Sequence, residues 1–186
     1  DAGFSPKKVG AEIGKDLGIA GPVLIAAESD VYVANDVPAA KRARVIAEAV
    51  RRYAAMPQIA AALTREQIAA TPMPKGPPEN WTLLERARAS FDAERSGDIL
   101  LLTKPRVTPI PVPGPGYVET HGSPWDYDRR VPILFWRKGI AGFEQPLSVE
   151  TVDIVPTLAA TVGLEVNGLD GRCLDLDATA ASTCPR

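Results

Sequence analysis

Between residues 38 and 55 the apolar side chains Val45, Ile46, Ala49, Val50 and Tyr53 return at helical spacing, with Arg42, Glu48, Arg51 and Arg52 largely off that stripe. The pattern predicts an amphipathic helix with one face turned to a core. A shorter helix is predicted over residues 6–17, where Ser5 followed by Pro6 reads as a cap with proline in the first turn and Gly18 closes the segment. Residues 23–27 and 31–34 are apolar runs separated by Glu28-Ser29-Asp30, which predicts a hairpin. Residues 59–63 read as a further strand, and Thr64-Arg65-Glu66-Gln67 has the form of a capping box that opens another helix. Together these elements make a small β-β-α-β unit.

Residues 71–78 hold four prolines and a glycine, which neither extend a helix nor feed a sheet ladder, so a boundary is expected there. We therefore divide the chain into a small α+β subdomain, 1–72, and a second part, 73–186. In the second part Asn80 is expected to cap a helix with Trp81, Leu84, Ala87 and Phe91 on one side, and Arg95-Ser96-Gly97-Asp98 turns the chain into Ile99-Leu100-Leu101-Leu102. Four apolar residues without alternation indicate a strand covered on both faces. Residues 133–136, Ile-Leu-Phe-Trp, form a second such run. Residues 148–162 predict the last helix, with Ile154, Leu158 and Val162 on one stripe and Gly163 as its end; Pro156 requires regular turns to begin near Thr151 or Asp153. Buried strands alternating with helices argue for an α/β layered sheet.

Composition changes this picture little. Of 186 residues 45% are apolar and 24% charged, and the net charge is −2. That excludes a disordered chain and leaves no positive field to attract nucleic acid. No stretch approaches the length of a membrane-spanning helix. Cys173 and Cys184 are the two cysteines; their spacing permits a short-loop disulfide in an oxidising compartment, and two unpaired thiols are the alternative.

His121 is the single histidine, so any imidazole chemistry uses it. Residues 117–120 read as the end of a strand and Gly122-Ser123-Pro124 as an immediate turn, a place where sheet proteins present ligands. Against this, Glu119, Asp126 and Asp128 beside Arg129 and Arg130 read most simply as a solvated turn with ion pairs of little energetic weight. Lys41, Arg42, Arg44, Arg51 and Arg52 read as the solvated face of their helix, and Asn80-Trp81-Thr82, although it matches a glycosylation acceptor, is given no function. No P-loop, dinucleotide fingerprint, nucleophile elbow or zincin motif is present.

The segment Thr120-His121-Gly122-Ser123-Pro124-Trp125-Asp126-Tyr127-Asp128-Arg129-Arg130-Val131-Pro132-Ile133-Leu134-Phe135 resembles the last metal-ligand segment of the alkaline phosphatase superfamily. Val149-Glu150-Thr151-Val152-Asp153-Ile154-Val155-Pro156-Thr157-Leu158-Ala159 resembles the helix that follows it, Asp170-Gly171-Arg172-Cys173-Leu174 the closing segment, and Arg95-Ser96-Gly97-Asp98-Ile99-Leu100-Leu101 also has the family form. Within the superfamily the chain is most similar to the monomeric, exported bacterial enzymes of the PhoK type, over most of residues 38–184. The resemblance implies an alkaline-phosphatase-like layered sandwich with a mainly parallel central sheet, here partial, plus the small α+β subdomain.

It also implies that His121 is a ligand of one of two zinc ions in an enzyme that hydrolyses phosphate monoesters by two-metal in-line displacement through a phospho-enzyme intermediate. Neutral imidazole binds zinc, which suits alkaline operation. The nucleophile and the other ligands of that family lie N-terminal to everything in this chain, and Thr120 is not assigned the nucleophile's role. The expectation is therefore the C-terminal part of a larger periplasmic or extracellular enzyme, inactive alone, whose partners are its substrate and its own N-terminal part. A phosphodiesterase or nucleotide pyrophosphatase of the same superfamily, or a catalytically incomplete fragment serving only as a partner of its N-terminal half, are the alternatives.

Overall fold

The computed structural model describes residues 5–27, 29–108, 114–116, 121–139, 141–177 and 182–184. The chain divides into two compact units, Asp1–Pro74 with Trp81–Arg129, and Lys75–Asn80 with Arg130–Arg186.

In the first unit, helix α1 spans Pro6–Leu17, with proline in its first turn and Gly18 in the left-handed conformation at its end. Strands β1 (Leu24–Ala27) and β2 (Asp30–Val33) follow as an antiparallel hairpin. Helix α2, Ala39–Ala54, buries Val45, Ala49 and Tyr53, the inner part of the predicted stripe. Strand β3 is Ile59–Thr64, and Thr64 opens helix α3, Arg65–Ala70, through the expected capping box with Gln67. Helix α4, Leu83–Ala89, is capped by Thr82, paired with Glu85, and not by Asn80, which lies in a 3-10 turn at Pro78–Asn80. Thr82 satisfies two orphan backbone groups with the glutamate three residues on, and a lone asparagine offers no such reciprocal pair.

Strand β4, Ile99–Thr103, then enters between β2 and β3, completing a sheet of order β1-β2-β4-β3. The core gathers Val9 and Ile13 of α1, Val31 and Val33 of β2, Val45, Ala49 and Tyr53 of α2, and Ile99 and Leu101 of β4. Each fully buried aliphatic side chain contributes roughly 1.5–3 kcal/mol. Every pairing in this sheet is antiparallel, and no parallel pairing occurs among the described residues, where a mainly parallel sheet was expected. An unbroken apolar run reports that both faces of a strand are covered; it carries no information on strand direction. The sheet also draws β4 from beyond position 72, so the strands on either side of that position share one ladder.

In the second unit a 3-10 turn at Thr151–Asp153 leads into helix α6, Ile154–Thr161. Pro156 falls in its first turn, where a missing N–H costs nothing. The helix faces inward with Asp153, Thr157 and Ala159, while Leu158 and Val162 of the expected stripe are exposed. Polar contacts decide this orientation. The buried Asp153 carboxylate accepts hydrogen bonds from the backbone N–H of Glu150 and of Arg172, and the Thr157 hydroxyl donates to the Asp153 carbonyl and accepts from the N–H of Leu174. The closing segment is thus stitched onto the helix. Gly171 is required there, because a Cβ would overlap the Val152 carbonyl. Cys173 and Cys184 form a disulfide with Cα atoms 5.7 Å apart, resolving the choice left open by their spacing.

Residues 133–136 are not a strand, and Leu134 and Trp136 are 88% and 82% exposed. This corrects the second buried strand. The run is apolar enough for one, but no ladder partner for it exists among the described residues.

Candidate functional site

His121 lies in the first unit, exposed, between β4 and the single-turn helix α5, Asp126–Arg129. Gly122 follows with φ of 95°, a conformation open to glycine that turns the chain sharply after the imidazole. The strand end expected at 117–120 and the acidic neighbour Glu119 lie outside the described residues.

The turn after His121 is braced at several points. The Ser123 N–H donates to Asp128 Oδ2 at 2.5 Å, the Trp125 indole N–H to the Thr103 carbonyl at the end of β4 at 2.9 Å, and the Arg106 N–H to the Tyr127 hydroxyl at 2.8 Å. From α4, Arg86 donates through Nη1 to the Pro124 carbonyl at 2.7 Å and pairs through Nη2 with Asp126 Oδ1 at 3.3 Å. Arg129 meets the same oxygen at 3.4 Å and stacks over the Trp81 ring at 5.6 Å. Asp126 is therefore held by ion pairs with Arg129, as expected, and with Arg86, a partner the sequence did not disclose, while Asp128 holds the turn through the Ser123 N–H.

Donor chemistry at this place is limited. Among the described residues no group of three or more His, Cys, Asp or Glu side chains is placed to hold a metal ion, and both cysteines are oxidised. His121 fits one position of a zinc coordination shell and does not make a site by itself. Ser123 Oγ is enclosed with no hydrogen-bond partner among the described residues. A cleft of about 210 Å³ in the second unit, lined by Arg137, Thr161, Asp177 and Thr183 among others, contains no histidine.

The basic set on α2 is mostly consumed by structure. Lys41 donates to the Leu17 carbonyl, Arg42 to the carbonyls of Val33 and Ala34, Arg51 pairs with Glu48, and Arg52 pairs with Glu12 and Asp16. These contacts argue against an anion-binding patch.

No family model matches the chain. It is 52% identical over 99% of its length to an alkaline phosphatase named PhoK from a Sphingomonas species, and 51% identical over 85% of its length to one named PhoD from Zymomonas mobilis subsp. mobilis. Among solved structures, the alkaline phosphatase PafA superposes on 91% of the chain with a TM-score of 0.71 at 22% identity, a likeness of fold. The shared α/β architecture is that of part of a phosphatase fold. The chain belongs to the alkaline phosphatase superfamily and corresponds to the C-terminal portion of these relatives. It spans about a third of their length, 34% of PhoK and 28% of PhoD.

Proposed function

We propose that this chain is the C-terminal part of a zinc-dependent alkaline phosphatase that hydrolyses phosphate monoesters, and that His121 supplies one ligand to one of two zinc ions. The observation that carries the reading is the 52% identity to an alkaline phosphatase over 99% of the chain. A lone imidazole held out on a braced, glycine-hinged turn is what a ligand requires if the remaining donors come from polypeptide outside these residues. The two metals would activate the nucleophile and neutralise charge on the phosphoryl and leaving oxygens in an in-line displacement through a phospho-enzyme intermediate. With one donor of its own, the chain alone is inactive in this account.

The disulfide favours a periplasmic or extracellular location, since such bonds persist in oxidising compartments. Among the described residues no helix is long and apolar enough to cross a membrane. The apolar surface of the second unit supports a larger protein. Besides Leu134 and Trp136, Leu147 and Val162 are 73% and 76% exposed.

The test uses the complete protein. It should hydrolyse an aryl phosphate monoester faster than the matching diester, and His121→Ala should lower zinc occupancy and turnover together with the fold intact. Faster diester hydrolysis would replace the monoesterase reading, and unchanged turnover in the variant would remove His121 from the site.

A further inference from the structure

We propose that Arg86 is the positioning residue for His121: its guanidinium locks the turn that carries the imidazole to helix α4. This rests on the reading of His121 as a zinc ligand. Three nitrogens of one side chain, itself only 12% exposed, face three oxygens on two segments. Nε donates to the Trp81 carbonyl at 2.9 Å, Nη1 to the Pro124 carbonyl at 2.7 Å, and Nη2 pairs with Asp126 at 3.3 Å.

Pro124 and Asp126 lie three and five residues beyond His121, and the intervening Gly122 is the most pliable backbone position in the segment. Without the guanidinium the Pro124 carbonyl and the Asp126 carboxylate lose a charged donor, and the glycine lets the imidazole wander. A lysine cannot replace the fork, because one ammonium on a flexible stem does not span three divergent acceptors. The acceptors of the Arg86 guanidinium, on Trp81, Pro124 and Asp126, lie beside the turn and at the start of α4. Its removal therefore acts on the turn more than on the core.

The experiment measures zinc affinity of the complete protein, by competition with a chromogenic chelator, for Arg86→Lys, His121→Ala and the double variant. Thermal unfolding is followed in parallel. Arg86→Lys should weaken zinc binding about tenfold, the scale on which groups that orient a metal ligand act, and should add nothing once His121 is gone. Asp126→Asn, which keeps the shape and removes the charge, should move affinity in the same direction by less. Zinc affinity unchanged in Arg86→Lys but lost in His121→Ala overturns the positioning role alone. Equal losses from Arg86→Lys with and without His121 also overturn it, because the residue then acts on the fold at large. Affinity unchanged in His121→Ala overturns the ligand reading beneath it.

Discussion

Tyr53 sits fully buried at the end of α2, and burial raises its phenol from an ordinary value of 10.0 to about 12. Between these values the unfolded chain releases its proton while the folded one keeps it. Stability contributed by this residue is complete below the lower value and is lost as pH rises toward the upper one. For an enzyme proposed to work in alkali, this sets a limit on the folded range. Urea midpoints measured from about pH 9 to about pH 12 should fall, and Tyr53→Phe should flatten that fall. An equal fall in the variant would assign the alkaline loss to other groups. At the same scale, His121 was legible as a candidate because it is the single imidazole and a turn follows it. Its bracing was not. Arg86 and Asp126 lie forty residues apart in the chain, and no local pattern tells an arginine aimed at a distant carbonyl from one bathed in solvent.

Among elements, α4 connects fold to site because its capping box precedes Arg86 directly. The Glu85 N–H donates to the Thr82 hydroxyl at 3.2 Å, and the Thr82 N–H donates to the Glu85 carboxylate at 2.8 Å. Replacing Thr82 with alanine should cost about 1 kcal/mol of stability, read from chemical denaturation. No loss would mean that α4 is held by other contacts. The hydrogen bond from the Thr82 backbone, followed by that from its hydroxyl, holds Glu85 below the usual carboxylate range. Its share of the cap is present above the unfolded value and disappears as pH falls through the lowered one, so the gap between the two proteins should narrow in acid without closing, because the bond from the Glu85 N–H to the hydroxyl does not titrate.

Element legibility followed local chemistry. The Pro6 and Gly18 boundaries and the Thr64–Gln67 box predicted α1 and α3 because each signal and its effect lie within one turn. Strand direction in β4, the outward face of α6 and the fate of residues 133–136 depend on distant partners. The Asn80 cap is a different case: the Thr82–Glu85 pair that caps α4 is itself a local pattern in the sequence, and Asn80 lies in the 3-10 turn before it.

For the molecule as a whole, the second unit is the informative part. Its buried interior as described centres on Asp153, Thr157 and Ala159, a polar staple tied to the closing segment by Arg172 and Leu174, while large apolar side chains face outward. A unit of that composition is expected to need further polypeptide to cover it. The chain by itself should bind a hydrophobic dye strongly and self-associate, and supplying the remaining polypeptide of the complete protein should suppress both. Weak dye binding by a monomer would contradict this and leave the exposed surface in need of another explanation.

In the proposed enzyme one imidazole completes a metal shell built mainly elsewhere. Anomalous diffraction at the zinc edge from crystals of the complete protein tests it most directly. A peak about 2.0–2.1 Å from a ring nitrogen of His121, with other donors from outside residues 1–186, is the predicted result. Zinc bound without His121 in its shell would contradict it.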